Sequence, residues 1–169
     1  MINEQEGGTT IYAKAHRLPA ACYEGMVSVV FTACLEPRLP LFGDPKLLGE
    51  LVAILETQLS RYDCIAPIYC FMPDHLHTVI RGRSDAARPS RAFMAFKHVS
   101  GYLMGSRGLE ARWQKSYYDH IVRQGEDLHV QMWYVAMNPV RKALAASPYA
   151  FPGVGAIGVD LQDSLTRSR

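Results

Sequence analysis

The sequence predicts a single α+β domain, in which a mainly antiparallel sheet carries helices packed on its faces. Two observations lead to this fold class. Runs dense in β-branched and aromatic residues occupy residues 26–35, 64–72 and 75–81, and leucines repeat at helical spacing between residues 44 and 61. Only Pro and Asp separate the second run from the third, which predicts two strands joined by a tight turn.

Three helices have recognisable start signals. Asp44 is suited to cap a helix N-terminus and Pro45 to fill its first position, so a helix is predicted from there to about Arg61. A second helix is expected to start near Ser90, where phenylalanines recur at helical spacing. The acidic pair at 126–127 favours the positive end of a third helix dipole.

The remaining segments are less regular. Residues 113–123 predict one further strand with a polar, basic side, and Pro139 is expected to interrupt or end the third helix. The predicted order is strand, helix, strand, strand, helix, strand, helix. We expect one domain with a central core over about 25–145, flanked by 1–24 and 147–169, for which no regular structure is predicted.

The composition is ordinary for a soluble globular protein of 169 residues, with 49% hydrophobic and 20% charged residues. No apolar tract is long enough to cross a bilayer, and the polar first ten residues do not resemble a signal peptide. Three of the four cysteines lie in apolar runs without CxxC spacing, which predicts reduced, buried thiols and a cytoplasmic location: Cys34, Cys64 and Cys70.

The positive charge is concentrated in one part of the chain. Residues 81–123 hold nine basic and three acidic residues, a net charge of +6, whereas the rest of the chain carries −4. Aromatic residues are interleaved with these charges, which suits a surface for single-stranded nucleic acid but equally suits a solvated face over core aromatics. The candidate phosphate contacts are Arg81, Arg83, Arg91, Lys97 and Lys115.

Two histidines on one predicted strand form a candidate metal site. His75 and His77 are separated by Leu76, and alternate residues of a strand share a face. Two imidazoles side by side can bind one divalent metal ion. Histidines in strands are also commonly structural, hydrogen-bonded residues, so the pair alone does not decide between the two roles.

The third helix carries a candidate nucleophile. Tyr134 and Asn138 are four residues apart and so share one helix face. A tyrosine hydroxyl can attack phosphorus, and an amide oxygen can ligate a hard divalent cation. The alternative for Tyr134 is a surface tyrosine that only packs on its helix. The other candidate nucleophiles are Tyr69, Tyr117 and Tyr118.

Several linked motifs resemble those of the single-tyrosine HUH transposases, in which a hydrophobic residue lies between two histidines. Residues 72–77 (MPDHLH) match that motif, and residues 113–114, 117–123 and 126–128 follow in the order found in that family. Residues 134–140 (YVAMNPV) complete the set. The resemblance spans about 25–145 and is strongest to the REP-associated tyrosine transposases.

This resemblance implies a ferredoxin-like or RRM-like core and specific chemistry. It implies that His75, His77 and Asn138 bind Mg²⁺ or Mn²⁺ and that Tyr134 is the nucleophile. The implied reaction cleaves and rejoins single-stranded DNA through a 5′-phosphotyrosine intermediate. The implied partner is hairpin-forming repeat DNA in the bacterial cytoplasm and nucleoid, bound by a monomer or a homodimer.

The chain departs from the family pattern in two places. The segment after Pro139 carries residues 147–152 (SPYAFP) where a YPWS-like motif is usual, and the N-terminal basic patch is reduced to Lys14, His16 and Arg17. Two other functions remain open: a catalytically inactive single-strand-binding protein, and a metal-dependent phosphoesterase that uses the histidines and water.

Overall fold

The computed structural model describes residues 17–166 and contains an antiparallel six-stranded sheet with helices on both faces. The strands are β1 (Ser28–Glu36), β2 (Cys64–Met72), β3 (His75–Gly82), β4 (Arg112–Trp113), β5 (Tyr118–Ile121) and β6 (Val154–Ile157). The helices are α1 (Pro45–Arg61), α2 (Pro89–Ser106), α3 (Leu128–Ala136), α4 (Asn138–Arg141) and α5 (Leu161–Leu165). The predicted α+β fold class is confirmed. Lys14 and His16 of the basic patch lie outside the described residues.

The sheet is organised around the β1–β3–β2 core. Its strand order is β4–β1–β3–β2–β6, and β5 pairs with β1. The predicted tight connection is present, since Met72 of β2 faces His75 of β3 across the turn. Asp44 caps α1 as predicted, because its side chain accepts a hydrogen bond from the backbone N–H of Lys46.

One strand prediction needs correction. Residues 113–123 do not form a single strand: β4 pairs with the end of β1 and β5 with its start. The backbone between them leaves the ladder, where the buried Tyr117 packs against Phe93 of α2, with ring centroids 5.2 Å apart. Lys97 of α2 donates a hydrogen bond to the carbonyl of Gln114 in the same interval. Packing against α2 therefore replaces strand pairing there.

Helices α1 and α2 cover one face of the sheet and form the larger core. Phe31 of β1 stacks on Phe93 of α2 with ring centroids 4.2 Å apart. Leu76 and Ile80 of β3 belong to the same buried cluster, together with Leu51 of α1. This face therefore provides most of the apolar burial and leaves the opposite face for α3.

Helix α3 packs on the opposite face, which we call the α3 face, over β2 and β3. Val135 and Met132 pack there against strand residues such as Ile68 and Val79. Helix α5 is tied to α3, since the Trp133 indole N–H donates to the carbonyl of Leu165 at 3.0 Å. The 147–169 flank, for which no regular structure was predicted, thus supplies both α5 and the edge strand β6.

The thiols follow the sequence prediction. Cys34, Cys64 and Cys70 are buried and unbridged, whereas Cys22 is exposed. Within the described residues, no helix is long and apolar enough to cross a membrane.

Candidate active site

The two histidines of β3 lie side by side on the α3 face. Their ring centroids are 4.8 Å apart and the rings are nearly perpendicular, at 85°. Leu76, between them, is fully buried on the opposite face. The strand alternation inferred from the sequence therefore describes the actual geometry of His75 and His77.

Both rings are held through the same nitrogen atom. The Thr32 hydroxyl lies 2.8 Å from Nδ1 of His77, and the Asp74 carboxylate lies 2.6 Å from Nδ1 of His75. A carboxylate accepts the Nδ1 proton, which leaves Nε2 as the nitrogen that can ligate a metal. Thr32 and Asp74 are therefore positioning residues that the sequence patterns did not identify; Asp74 was predicted only as a turn residue.

Asp74 also anchors this end of β3 to the loop after β1. Arg38 donates to its carboxylate through Nε at 2.6 Å and through Nη2 at 3.2 Å. Burial alone would raise the pKa of Asp74, but the hydrogen bonds from His75 and Arg38 outweigh it and hold that pKa well below its usual range. Asp74 is thus ionised at neutral pH and can keep His75 in the tautomer that exposes Nε2.

His77 is held in its neutral form. Burial, followed by the charges of His75, Arg141 and Arg38, lowers the pKa of His77 to about 3. A neutral imidazole is the form that binds a metal. The charge of Arg141, which lies on α4, acts on His77, so that helix is within electrostatic range of this histidine.

Helix α3 presents Tyr134 to solvent. Asp127 caps the helix by accepting hydrogen bonds from the backbone N–H groups of His129 and Val130. The helix ends at Ala136, three residues before Pro139. The Tyr134 side chain is 46% exposed and therefore accessible to a large substrate.

Asn138 is buried directly after α3, and its amide has a defined orientation. Its Nδ2 donates to the carbonyls of Tyr134 and Val135, each at 3.1 Å. Since both of these bonds need a donor, Oδ1 is the acceptor atom, and it accepts a hydrogen bond from Arg141 Nη2 at 3.0 Å. The Asn138 oxygen is thus ordered by the helix end, and its second lone pair could ligate a metal beside the Arg141 guanidinium.

The possible metal donors are two imidazole nitrogens and one amide oxygen. Within residues 17–166 there is no cluster of three or more His, Cys, Asp or Glu side chains that could hold a metal ion. A site at His75 and His77 would therefore need Asn138, water or substrate oxygen to complete its coordination. Mixed nitrogen and oxygen donors of this kind suit a divalent cation such as Mn²⁺ or Mg²⁺.

The three other candidate nucleophiles are less exposed than Tyr134. Tyr69 and Tyr117 are buried, and both belong to the core on the α1 and α2 side. Tyr118 is 38% exposed and pairs with Thr32 on the α3 face. Burial, then the charges of Asp119, Glu126 and Tyr134, raises the pKa of Tyr118. Tyr118 is therefore the main alternative to Tyr134 as the nucleophile.

The candidate phosphate contacts do not form one patch. Arg81 is exposed near the end of the central strand β3, and Arg83 and Lys115 are exposed in loops. Arg91 is exposed on α2. Arg91 lines a groove between α1 and α2, on the side of the sheet away from the histidines. Lys97 is partly buried, and its ammonium lies 4.9 Å from the Tyr117 ring centroid besides binding the Gln114 carbonyl.

Two other histidines, His120 and His98, have ordinary surroundings. His120 of β5 pairs through Nε2 with the Glu126 carboxylate at 2.6 Å, which ties β5 to the turn before α3. His98 is exposed on α2 and lines the same groove as Arg91. Neither is a neighbour of His75 or His77 in the strand ladder.

Comparison with known proteins locates the fold among solved structures. No family model and no curated protein sequence matches the chain. A REP-associated tyrosine transposase bound to a REP hairpin has a TM-score of 0.68 at 17% identity, covering 85% of this chain and 82% of that chain. A candidate transposase from Deinococcus radiodurans R1 has a TM-score of 0.48 at 16% identity, covering 78% and 95%. The first similarity shows a shared fold, in agreement with the resemblance found in the sequence.

Proposed function

We propose that the protein is a metal-dependent transposase-type nuclease that cleaves and rejoins single-stranded DNA through Tyr134. The main support is one juxtaposition: a histidine pair held through Nδ1 and an exposed tyrosine on the helix that packs over the same sheet face. The similarity in fold to a tyrosine transposase bound to a DNA hairpin is consistent with this proposal.

His75, His77 and Asn138 would hold the divalent cation. Bound there, Mg²⁺ or Mn²⁺ would polarise a phosphate oxygen and so make phosphorus more electrophilic. Thr32 and Asp74 would keep both imidazoles oriented, as partners of ligating histidines commonly do. Asn138 would be oriented by its two hydrogen bonds to the end of α3.

Tyr134 would carry out the covalent step. Its Oη would form a bond to phosphorus as the bond from phosphorus to the 3′ oxygen breaks. The phenolic proton would go to solvent and the leaving 3′ oxygen would take up a proton. The product is a 5′-phosphotyrosine with a free 3′-hydroxyl, and attack by a 3′-hydroxyl on this linkage would rejoin a strand without an external energy source.

The substrate would be single-stranded DNA with hairpin-forming repeat ends. A flexible single strand would let one of its phosphates reach the exposed phenol of Tyr134. Arg81, Arg83 and Lys115 are exposed cations suited to phosphate contacts, and Arg91 could bind a more distant part of the strand. Lys97 has internal partners that would have to be given up for such a contact.

The decisive experiment mixes the protein with Mn²⁺ or Mg²⁺ and a pool of labelled hairpin oligonucleotides with single-stranded flanks. We expect a protein–DNA adduct that survives denaturing electrophoresis and is lost in Tyr134→Phe and in His77→Ala. Salt-sensitive binding without any adduct would favour the inactive single-strand-binding protein. Release of cleaved DNA without an adduct would favour the phosphoesterase.

A further inference from the structure

Arg141 joins the candidate nucleophile to the candidate metal ligand. Its guanidinium carbon lies 4.2 Å from the centre of the Tyr134 ring, so the cation stacks on the phenol. Through Nη2 it donates to the Tyr134 carbonyl at 3.1 Å and to the Asn138 side-chain oxygen at 3.0 Å. No sequence pattern considered above identified this residue.

The backbone explains how one side chain reaches both groups. Pro139 follows Asn138, and α4 continues the chain for a single turn, with the Arg141 N–H bonded to the Met137 carbonyl. Arg141 therefore lies one turn beyond Asn138 and two turns beyond Tyr134, on their common side. The guanidinium group of Arg141 is therefore directed back over the end of α3.

The hydrogen bond from Arg141 to the Asn138 side-chain oxygen is unfavourable for metal binding at Asn138. A divalent cation bound to Oδ1 would lie close to the guanidinium that already bonds to the same oxygen, and the two positive charges would repel each other. The Nε and Nη1 atoms of Arg141 take no part in its hydrogen bonds to Tyr134 and Asn138. These donors suit the non-bridging oxygens of a phosphate, to which arginine binds in bidentate fashion.

We propose that Arg141 binds the DNA phosphate attacked by Tyr134 and that, without DNA, its guanidinium occupies Asn138 and weakens metal binding there. This inference rests on the proposed function. A phosphate beside Tyr134 draws the guanidinium away from Asn138 while the stacking on the phenol persists. DNA binding thereby raises metal affinity, and by linkage the metal raises DNA affinity.

The test measures Mn²⁺ affinity and adduct formation in the full-length protein. In DNA-free protein, we expect Arg141→Ala to bind Mn²⁺ about tenfold more tightly than wild type by calorimetry, in the range of ordinary coupling between sites. In saturating Mn²⁺, we expect its rate of adduct formation with a hairpin oligonucleotide to fall on the order of 100-fold, as when one transition-state donor is lost. Arg141→Lys should recover part of that rate because it keeps the charge.

Lys142→Ala is the matched control, because it removes an exposed cation at the next position. It should leave both the affinity and the rate near wild type. If Arg141→Ala weakens Mn²⁺ binding, Arg141 merely supports Asn138 and the inference is wrong; it is also wrong if the adduct rate is unchanged. Failure of the proposed function looks different, since wild type itself would then form no adduct, and that result overturns both proposals.

Discussion

Thr32 of β1 faces His77 of β3 across the sheet, with its hydroxyl oxygen 2.8 Å from His77 Nδ1. This bond fixes the imidazole on the α3 face and directs Nε2 away from the sheet partner. It joins residues 45 positions apart in the chain, so it depends on the register of the β1–β3 pair.

Replacing this hydroxyl tests whether the histidine pair is a metal site. We expect Thr32→Val to bind Mn²⁺ about tenfold more weakly, since loss of an outer-shell partner typically costs 10- to 100-fold in affinity. Thr32→Ser, which keeps the hydroxyl, should bind like wild type. Isothermal titration calorimetry provides the measurement, and equal affinity in Thr32→Val and wild type would contradict a ligand role for His77.

Two lysines near the β4–β5 interval should differ in their effect on DNA binding. Lys115 is exposed, whereas Lys97 is partly buried and bonded to the Gln114 carbonyl. We expect Lys115→Met to reduce the slope of log affinity against log salt concentration by about 1, as the loss of one phosphate contact does. Lys97→Met should leave that slope unchanged. Fluorescence anisotropy on a single-stranded oligonucleotide would show a reversed order if Lys97 were the DNA contact.

Lys97 should also make stability depend on alkaline pH. Burial and the charge of Arg17 lower its pKa to about 8, below the unfolded value of roughly 10.4. Between these values the unfolded state binds more protons than the folded state, so this residue makes the free energy of unfolding rise with pH. Compared with Lys97→Met, wild type should therefore gain stability from pH 8 to pH 10 in urea unfolding. Parallel pH profiles of the two proteins would contradict the lowered pKa.

Leu165 is expected to anchor α5 against the helix that carries Tyr134. It is 3% exposed, and its carbonyl accepts the Trp133 indole N–H. We expect Leu165→Ala to lower the free energy of unfolding by about 2–3 kcal/mol, a usual cost of a buried leucine-to-alanine change. Leu144→Ala is the control, since that side chain is 47% exposed. Equal unfolding midpoints for the two variants would mean that α5 contributes little to the α3 face.

The sequence predicted those elements whose signals are local. The start of α1 follows from Asp44 and Pro45, and the β2–β3 turn follows from its Pro–Asp pair. The interruption between β4 and β5 was missed because its cause is tertiary. Packing of Tyr117 against α2 competes there with strand pairing, and no residue in the run itself signals that outcome.

The same distinction holds for the site. The placement of His75 and His77 on one face follows from strand alternation alone. Thr32 could not be found, because its contact depends on strand register. Arg141 left a usable signal, since it lies three residues after Asn138 and seven after Tyr134, a spacing that places all three on one side of a continuing helix.

The most direct test of the account identifies the residue that becomes joined to DNA. Trypsin is expected to release residues 124–141, in which Tyr134 is the only tyrosine, and residues 116–123, which contain Tyr117 and Tyr118. After reaction with a hairpin oligonucleotide and nuclease trimming, mass spectrometry should find the nucleotide mass on 124–141. A nucleotide on 116–123 would contradict the account and make Tyr118, the exposed tyrosine of that peptide, the nucleophile.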